Sequence, residues 1–144
     1  MNCRGQRRLS LHGVLGLVLS WAGRADEGIE NLEKAMRLSP HDPLMFLFFT
    51  GMSIAHFAAE RYGEAADWAQ RSIRSGTTDT AAYRYIAASY AYLDRVDEAR
   101  KALREMFLLD PKFSLATDRV ILSTADPAFV ERLFDGLRKA GLKE

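Results

Sequence analysis

The feature that most constrains this chain is a spacing. Gly28, Ala65 and Ala99 stand 37 and then 34 residues apart, and each opens a run of apolar residues at helical intervals. A second small residue precedes each of them by 12 positions: Gly16, Ser53 and Ala87. Self-similarity at such a period marks a chain made of stacked copies of one supersecondary unit. Each copy reads as two antiparallel helices that approach closely where the small residues meet, with larger Leu, Tyr and Phe side chains filling the space beside the contact.

The clearest copy covers 79–111. Tyr83, Ile86, Ala87 and Tyr90 fall at helical spacing in its first half, Ala99, Leu103 and Met106 do so in its second, and Pro111 closes it. Gly23-Arg24, Glu60-Arg61 and Asp94-Arg95 read as the short turns inside the three pairs. Acidic residues follow each turn (Asp26 and Glu27, Glu64, Asp97 and Glu98), which suits the positive end of a helix dipole. Pro40 and Pro43 stop the second helix near Leu38 and start the third, with Asp42 as its N-cap and Pro43 in its first turn. The three extra residues of the 37-residue interval are expected to lengthen the third helix, and Gly76, Thr77 and Thr78 form a loose joint between the second and third copies.

After Pro111 the pattern weakens. Phe113, Ala116, Val120 and Ile121 suggest a short helix, which Ser123 to Asp126 ends. Asp126 and Pro127 then open a last helix as N-cap and first residue, and Gly141 stops it. Phe129, Val130, Leu133, Phe134 and Leu137 make a single apolar stripe on this helix, which is the natural cap for the exposed face of the last copy.

Composition removes several functional classes. Twenty basic residues against 19 acidic ones do not make the clustered basic surface that nucleic acid requires. Arg4, Arg7, Arg8 and Arg24 make only the start locally basic, as a solvated terminus would. Cys3 is the single cysteine, which leaves no intramolecular disulfide or thiolate metal site and points to a reducing, cytoplasmic setting. The basic start followed by the apolar run 9–19 imitates a secretory signal. That run is too short and too interrupted by His12 to span a bilayer, and the repeat needs its Gly16 and Leu19. A secreted or periplasmic protein is the alternative, and cleavage within 1–22 would settle it. There is no Gly-rich phosphate loop, GxSxG or HExxH. His12, His41 and His56 are far apart, and two of them occupy packing positions. No catalytic residue, metal site or cofactor is expected, and the chain reads as a non-enzyme.

The pattern resembles the tetratricopeptide repeat. Tyr83, Ile86, Ala87, Tyr90, Ala99, Leu103 and Pro111 match its positions in the third unit. His12, Leu15, Gly16, Leu19, Gly28, Leu32, Ala35 and Pro40 match in the first; Phe49, Met52, Ser53, His56, Ala65 and Ser72 match in the second, where Thr77 replaces the closing proline. The resemblance implies an all-α, right-handed superhelical solenoid of three units (9–40, 42–76 and 79–111). Capping helices would follow over 112–144, and a basic segment, for which disorder is one reading, would precede over 1–8. It also implies a concave groove lined by the first helices, at Ser10, Gly13, Leu17, Ser20 and Trp21, at Leu47, Thr50, Ile54, Phe57 and Ala58, and at Ala81, Arg84, Ala88, Ala91 and Tyr92. Members of the family that bind acidic C-terminal peptides of chaperones carry Lys, Asn and Arg on this face. Only Arg84 is basic here, so no two-carboxylate clamp is expected.

The candidate binding residues are Leu17, Trp21, Leu47, Ile54, Phe57, Arg84 and Tyr92. All but Arg84 are apolar or aromatic, and together they form a trough suited to an amphipathic helix from a protein or peptide partner. A bare trough of this kind invites aggregation, so the competing reading fills it with the 129–137 helix or with a second copy of the chain. Homodimerisation through helix one is a further alternative. The runs AHFAAERYGEAADWAQRSI and DPAFVERLFDGLRKAGLKE resemble the C-terminal repeat region of bacterial class III adenylate/guanylate cyclases, over 23–144. That resemblance implies a regulatory or assembly module with none of the cyclase catalytic residues. The expected function is non-catalytic protein–protein interaction.

Overall fold

The computed structural model describes the backbone of residues 3–76 and 80–143, and side chains from Leu11 onward within that range. Expectations about Ser10, the arginines at 4, 7 and 8, and Thr77, Thr78 and Asp79 lie outside the described residues. The described chain forms eight α-helices: α1 (Cys3–Trp21), α2 (Ala25–Leu38), α3 (Met45–Ala58), α4 (Tyr62–Arg74), α5 (Ala81–Tyr92), α6 (Val96–Leu109), α7 (Leu115–Ile121) and α8 (Pro127–Lys139). α1 takes in residues 3–8, the segment set apart above as a basic terminus. Helices pair as α1 with α2, α3 with α4 and α5 with α6, and the pairs stack through α2 on α3 and α4 on α5.

The three turns inside the pairs share one geometry. Gly23, Glu60 and Asp94 adopt left-handed φ of 83°, 62° and 61°. The next residue is an arginine whose N–H donates back five positions: Arg24 to Leu19 O at 2.8 Å, Arg61 to His56 O at 2.8 Å and Arg95 to Tyr90 O at 2.9 Å. A left-handed residue with this backward bond satisfies the last carbonyls of the preceding helix. Each arginine also pairs with the glutamate three residues on: Arg24 with Glu27, Arg61 with Glu64 and Arg95 with Glu98.

The small residues sit where the helices touch. A Cβ on Gly16 would stand 2.6 Å from Leu32 Cγ and 3.0 Å from Gly28 O, and one on Gly28 would collide with Ser20 Oγ. Ser53 Oγ donates to Ala65 O at 2.7 Å across the α3–α4 contact, and Ala87 and Ala99 are wholly buried.

Three local details differ from the sequence reading. α3 begins at Met45, with Leu44 as its N-cap position, and not at Asp42-Pro43. Asp42 instead accepts the Leu44 N–H at 2.8 Å while its own carbonyl takes the Met45 N–H. An aspartate that bonds its backbone two residues on closes a turn, and the helix starts only after it. Leu15 is 47% exposed, because no described element packs on its face of α1. Phe113 lies before α7, which starts at Leu115; its inward residues are Leu115 and Asp118, with Leu122 just after it, while Val120 and Ile121 face outward. The lengthening of α3 is real, since it has 14 residues against 12 in α5. Two of the three extra residues fall there, and the third is at the end of α2.

The main core runs from Ile54 and Phe57 through α4, α5 and α6 to α8. A second cluster, Leu32, Ala35, Phe48 and Met52, joins α2 to α3. Phe129, Leu133, Phe134 and Leu137 of α8 have no exposed surface. α8 packs along α5, and residues 140–142 turn back over α6 through Gly141, whose φ is 111°.

Candidate functional site

Stacking brings the C-terminal ends of α1, α3 and α5 together on the inner side of the array. The Trp21 indole N–H donates to the Tyr85 hydroxyl at 3.3 Å, from α1 to α5. Phe57 is the centre of an aromatic floor. Its ring lies 5.8 Å from Tyr85, 5.3 Å from Tyr62 and 6.1 Å from Tyr92, and Phe129 of α8 meets it edge-on at 5.8 Å. Edge-to-face pairs at such distances add to what burial alone contributes.

α8 is anchored on this floor by main-chain groups. Its N-cap, Asp126, donates its N–H to Trp21 O at 2.9 Å. The Arg132 guanidinium donates to the last carbonyls of α3, to Ala58 O at 3.1 Å and to Phe57 O at 3.2 Å, the latter shared with the Glu60 N–H. Tyr92 Oη returns a bond to Arg132 O at 2.7 Å and its ring stacks on Tyr62 at 4.5 Å. Gly136 lets the helices close up, because a Cβ there would stand 2.8 Å from Ala88 Cβ and 2.9 Å from the Tyr92 ring.

The candidate residues therefore occupy different situations. Ile54 and Phe57 belong to the core, with 1% and 0% exposure. Leu17 and Trp21 are partly buried against the same core, and Tyr92 is held beneath α8. Leu47 lies ten residues before Phe57, about 15 Å along α3, and is half-buried. Arg84 is engaged by α7: its Nε faces Asp118 Oδ2 at 3.7 Å, its Nη1 donates to the Thr80 hydroxyl at 3.1 Å, and its guanidinium covers the Phe113 ring at 5.6 Å. The Asp118 side chain is 1% exposed. Burial pushes its carboxyl above the usual range, and Arg84 pulls it part of the way back. Burial likewise raises the Tyr85 phenol, so that it stays protonated and able to accept from Trp21.

Asp118, Tyr85, Arg132 and Gly136 were not singled out from sequence. Gly136 alone carries a local signal, since a glycine within a helical pattern marks a close approach. The partners of the other three lie 34 to 75 residues away in the chain, and no local pattern encodes such pairings. No group of three or more metal-ligating side chains occurs among the described residues. No described helix is long and apolar enough to cross a membrane.

No protein-family profile matches the chain, and no curated protein matches it in sequence. Solved structures do match. One is the first TPR of Spaghetti (RPAP3) bound to the HSP90 peptide SRMEEVD, with a TM-score of 0.68 and 19% identity over 93% of this chain and 90% of that one. Another is the NMR structure of the first TPR domain of the human RPAP3 protein, with the same score and identity over 92% of this chain and 94% of that one. Likeness at this identity speaks for the fold. With three stacked pairs, one recurring turn geometry and these neighbours, the chain has the all-α solenoid fold of tetratricopeptide-repeat domains.

Proposed function

We propose that this chain is a non-catalytic protein-interaction module, a scaffold or adaptor whose inner face is shaped to seat an amphipathic helix and here seats its own α8. One observation carries the reading: Arg132 takes the terminal carbonyls of α3 while Tyr92 takes the carbonyl of Arg132, over an aromatic floor. A groove that offers main-chain acceptors and apolar surface suits a helix laid in it. Leu17, Trp21, Leu47, Ile54, Phe57, Arg84 and Tyr92 remain the candidate lining. Arg84 is already paired with Asp118, which favours an apolar helix over an acidic tail such as the peptide on the Spaghetti domain. A cytoplasmic setting, and a regulatory or assembly role beside a bacterial nucleotide cyclase, are finer forms of this reading; the cyclase context rests on the sequence resemblance of 23–144.

A labelled peptide of residues 126–142, titrated into the full chain by fluorescence anisotropy, tests the seat. Gly136→Leu loosens the resident helix, and Arg132→Ala removes its anchor with less steric damage. The peptide is expected to bind both variants at least about tenfold more tightly than wild type, an advantage of about 1.4 kcal/mol, with far-UV circular dichroism retained. Variants that keep their helicity and bind no peptide would remove the proposal.

Self-association is a second reading, favoured by the outer face of α1. Leu11, Val14, Leu15 and Val18 form a stripe on one helix face, 69%, 56%, 47% and 52% exposed. Light scattering would then find a dimer in wild type and a monomer in Leu15→Asp and Val18→Asp. A wild type that is monomeric at high concentration rejects it.

A further inference from the structure

The outer face of α6 is a second surface shaped for a helix, and no helix among the described residues fills it. In the stack, each second helix presents an outer face to the first helix of the next pair. On α4 that face is small and closed, with Ala66 and Ala69 at 2% and 0% exposure beneath α5. The equivalent positions on α6, counted from Ala65 and Ala99, are Arg100 and Leu103, with Arg104, Phe107 and Leu108 continuing the row. α8 has gone to the inner side, so no helix among the described residues covers this row, and Leu108 is 82% exposed. Residues 140–143 fold back to make the opposite wall, with Ala140 and Leu142 buried. The result is an open cavity of about 900 Å³ with Leu103, Phe107 and Leu108 as its apolar floor and Leu142 on the facing wall.

The rim is cationic. Arg100, Lys101, Arg104 and Lys143 line it, Glu105 is its single acid, and none of the four cations lies within 4 Å of a carboxylate among the described residues. The geometry points to an acidic amphipathic helix of a partner protein as the occupant of this groove. Its apolar face would lie on Phe107, Leu108 and Leu142, and its flanking carboxylates would meet Arg100, Arg104 and Lys143. A second copy is a poorer occupant through α1, because residues 3–21 contain three arginines and no acidic residue, so the apolar stripe of α1 would bring positive charge to a positive rim. The site is separate from the inner face and does not depend on that seat being open.

The test uses the full chain and two synthetic helical peptides of about five turns, each with leucines at i, i+3, i+4 and i+7. One carries Glu along both flanks of the stripe and the other Lys. The Glu peptide is expected to bind, with affinity falling as salt rises. Arg100→Glu with Arg104→Glu should weaken it at least about tenfold, as should Leu108→Asp, and Arg37→Ala, which removes an exposed cation of α2 that does not line this groove, should leave it unchanged. All three positions on α6 are exposed, so circular dichroism should show intact helicity. Equal binding of the Lys peptide, or undiminished binding by the charge-reversed variant, would overturn the inference. So would light scattering that detects a dimer lost in Leu108→Asp, which would give the groove to a second copy.

Discussion

Phe57 and Leu108 are both large apolar residues on repeat helices, yet Phe57 has no exposed surface and Leu108 is 82% exposed. Phe57 lies on the inner side, where α1, α3, α5 and α8 converge. Leu108 and the α1 stripe lie at the two ends of the stack, where the next unit of a longer array would pack. The difference shows where a solenoid of this kind keeps its stability and where it leaves surface for association. Stability comes from long-range convergence on the inner side, while the ends remain incomplete copies of an interface used twice within the chain.

The comparison is broken most directly by truncating one large apolar side chain in each region. Phe129→Ala takes away the α8 ring that meets Phe57, and unfolding in urea should show a loss of about 3–5 kcal/mol. Leu108→Ala at the open end should stay within about 0.5 kcal/mol of wild type. Equal losses would mean that the end of the array is as consolidated as its interior.

Two glycines sharpen the contrast. Gly136→Ala forces a Cβ to within 2.8 Å of Ala88 Cβ and should cost about 1–3 kcal/mol of stability. Gly63→Ala, in the first turn of α4 with nothing within 4 Å of the new atom, should stabilise by about 0.5–1 kcal/mol. Opposite signs for one substitution, read from thermal midpoints, would separate backbone preference from packing.

Asp118 supplies a pH test of the inner side. Its folded-state pKa is raised by burial, against the opposing pull of Arg84, so in the window above its ordinary value the folded chain binds more protons than the unfolded one. Its contribution is therefore fully present at low pH and declines as pH rises through the folded value. Urea midpoints of wild type relative to Asp118→Asn should accordingly shift in favour of wild type as pH falls from 7 toward 4.5. A shift in the other direction would mean that Arg84 outweighs burial. The smallest effect belongs to the exposed turn pair: Arg95→Ala leaves the Asp94 turn and its backbone bond in place and should leave the thermal midpoint near wild type.

Much of the fold was legible because repeat structure writes the same local rules three times. Gly16 with Gly28, Ser53 with Ala65, and Ala87 with Ala99 announced the helix crossings. The turns at Gly23, Glu60 and Asp94 are legible as turns, whereas the arginine-to-glutamate pair after each is visible only in the folded chain. The inner side was legible in kind and not in arrangement. The 129–137 stripe was visible as an apolar face needing cover, but its register on Phe57, Tyr85 and Tyr92 was not. Arg84 stands out in the sequence as the one cation of the groove, but its partner Asp118 lies 34 residues later on a short helix, and nothing local announces the pair.

By itself the sequence determined the helices, their pairing and the period of the stack, because helical spacing, small residues at crossings and left-handed turn positions act over a few residues and recur. Only the tertiary structure determined that α8 closes the inner side and leaves the Leu108 face of α6 without a covering helix among the described residues. That outcome depends on which of several apolar faces meet. Hydrophobic burial is non-directional and does not choose among them; the choice comes from backbone carbonyls at the end of α3, the notch at Gly136 and the ring geometry around Phe57, which exist only once distant segments have come together.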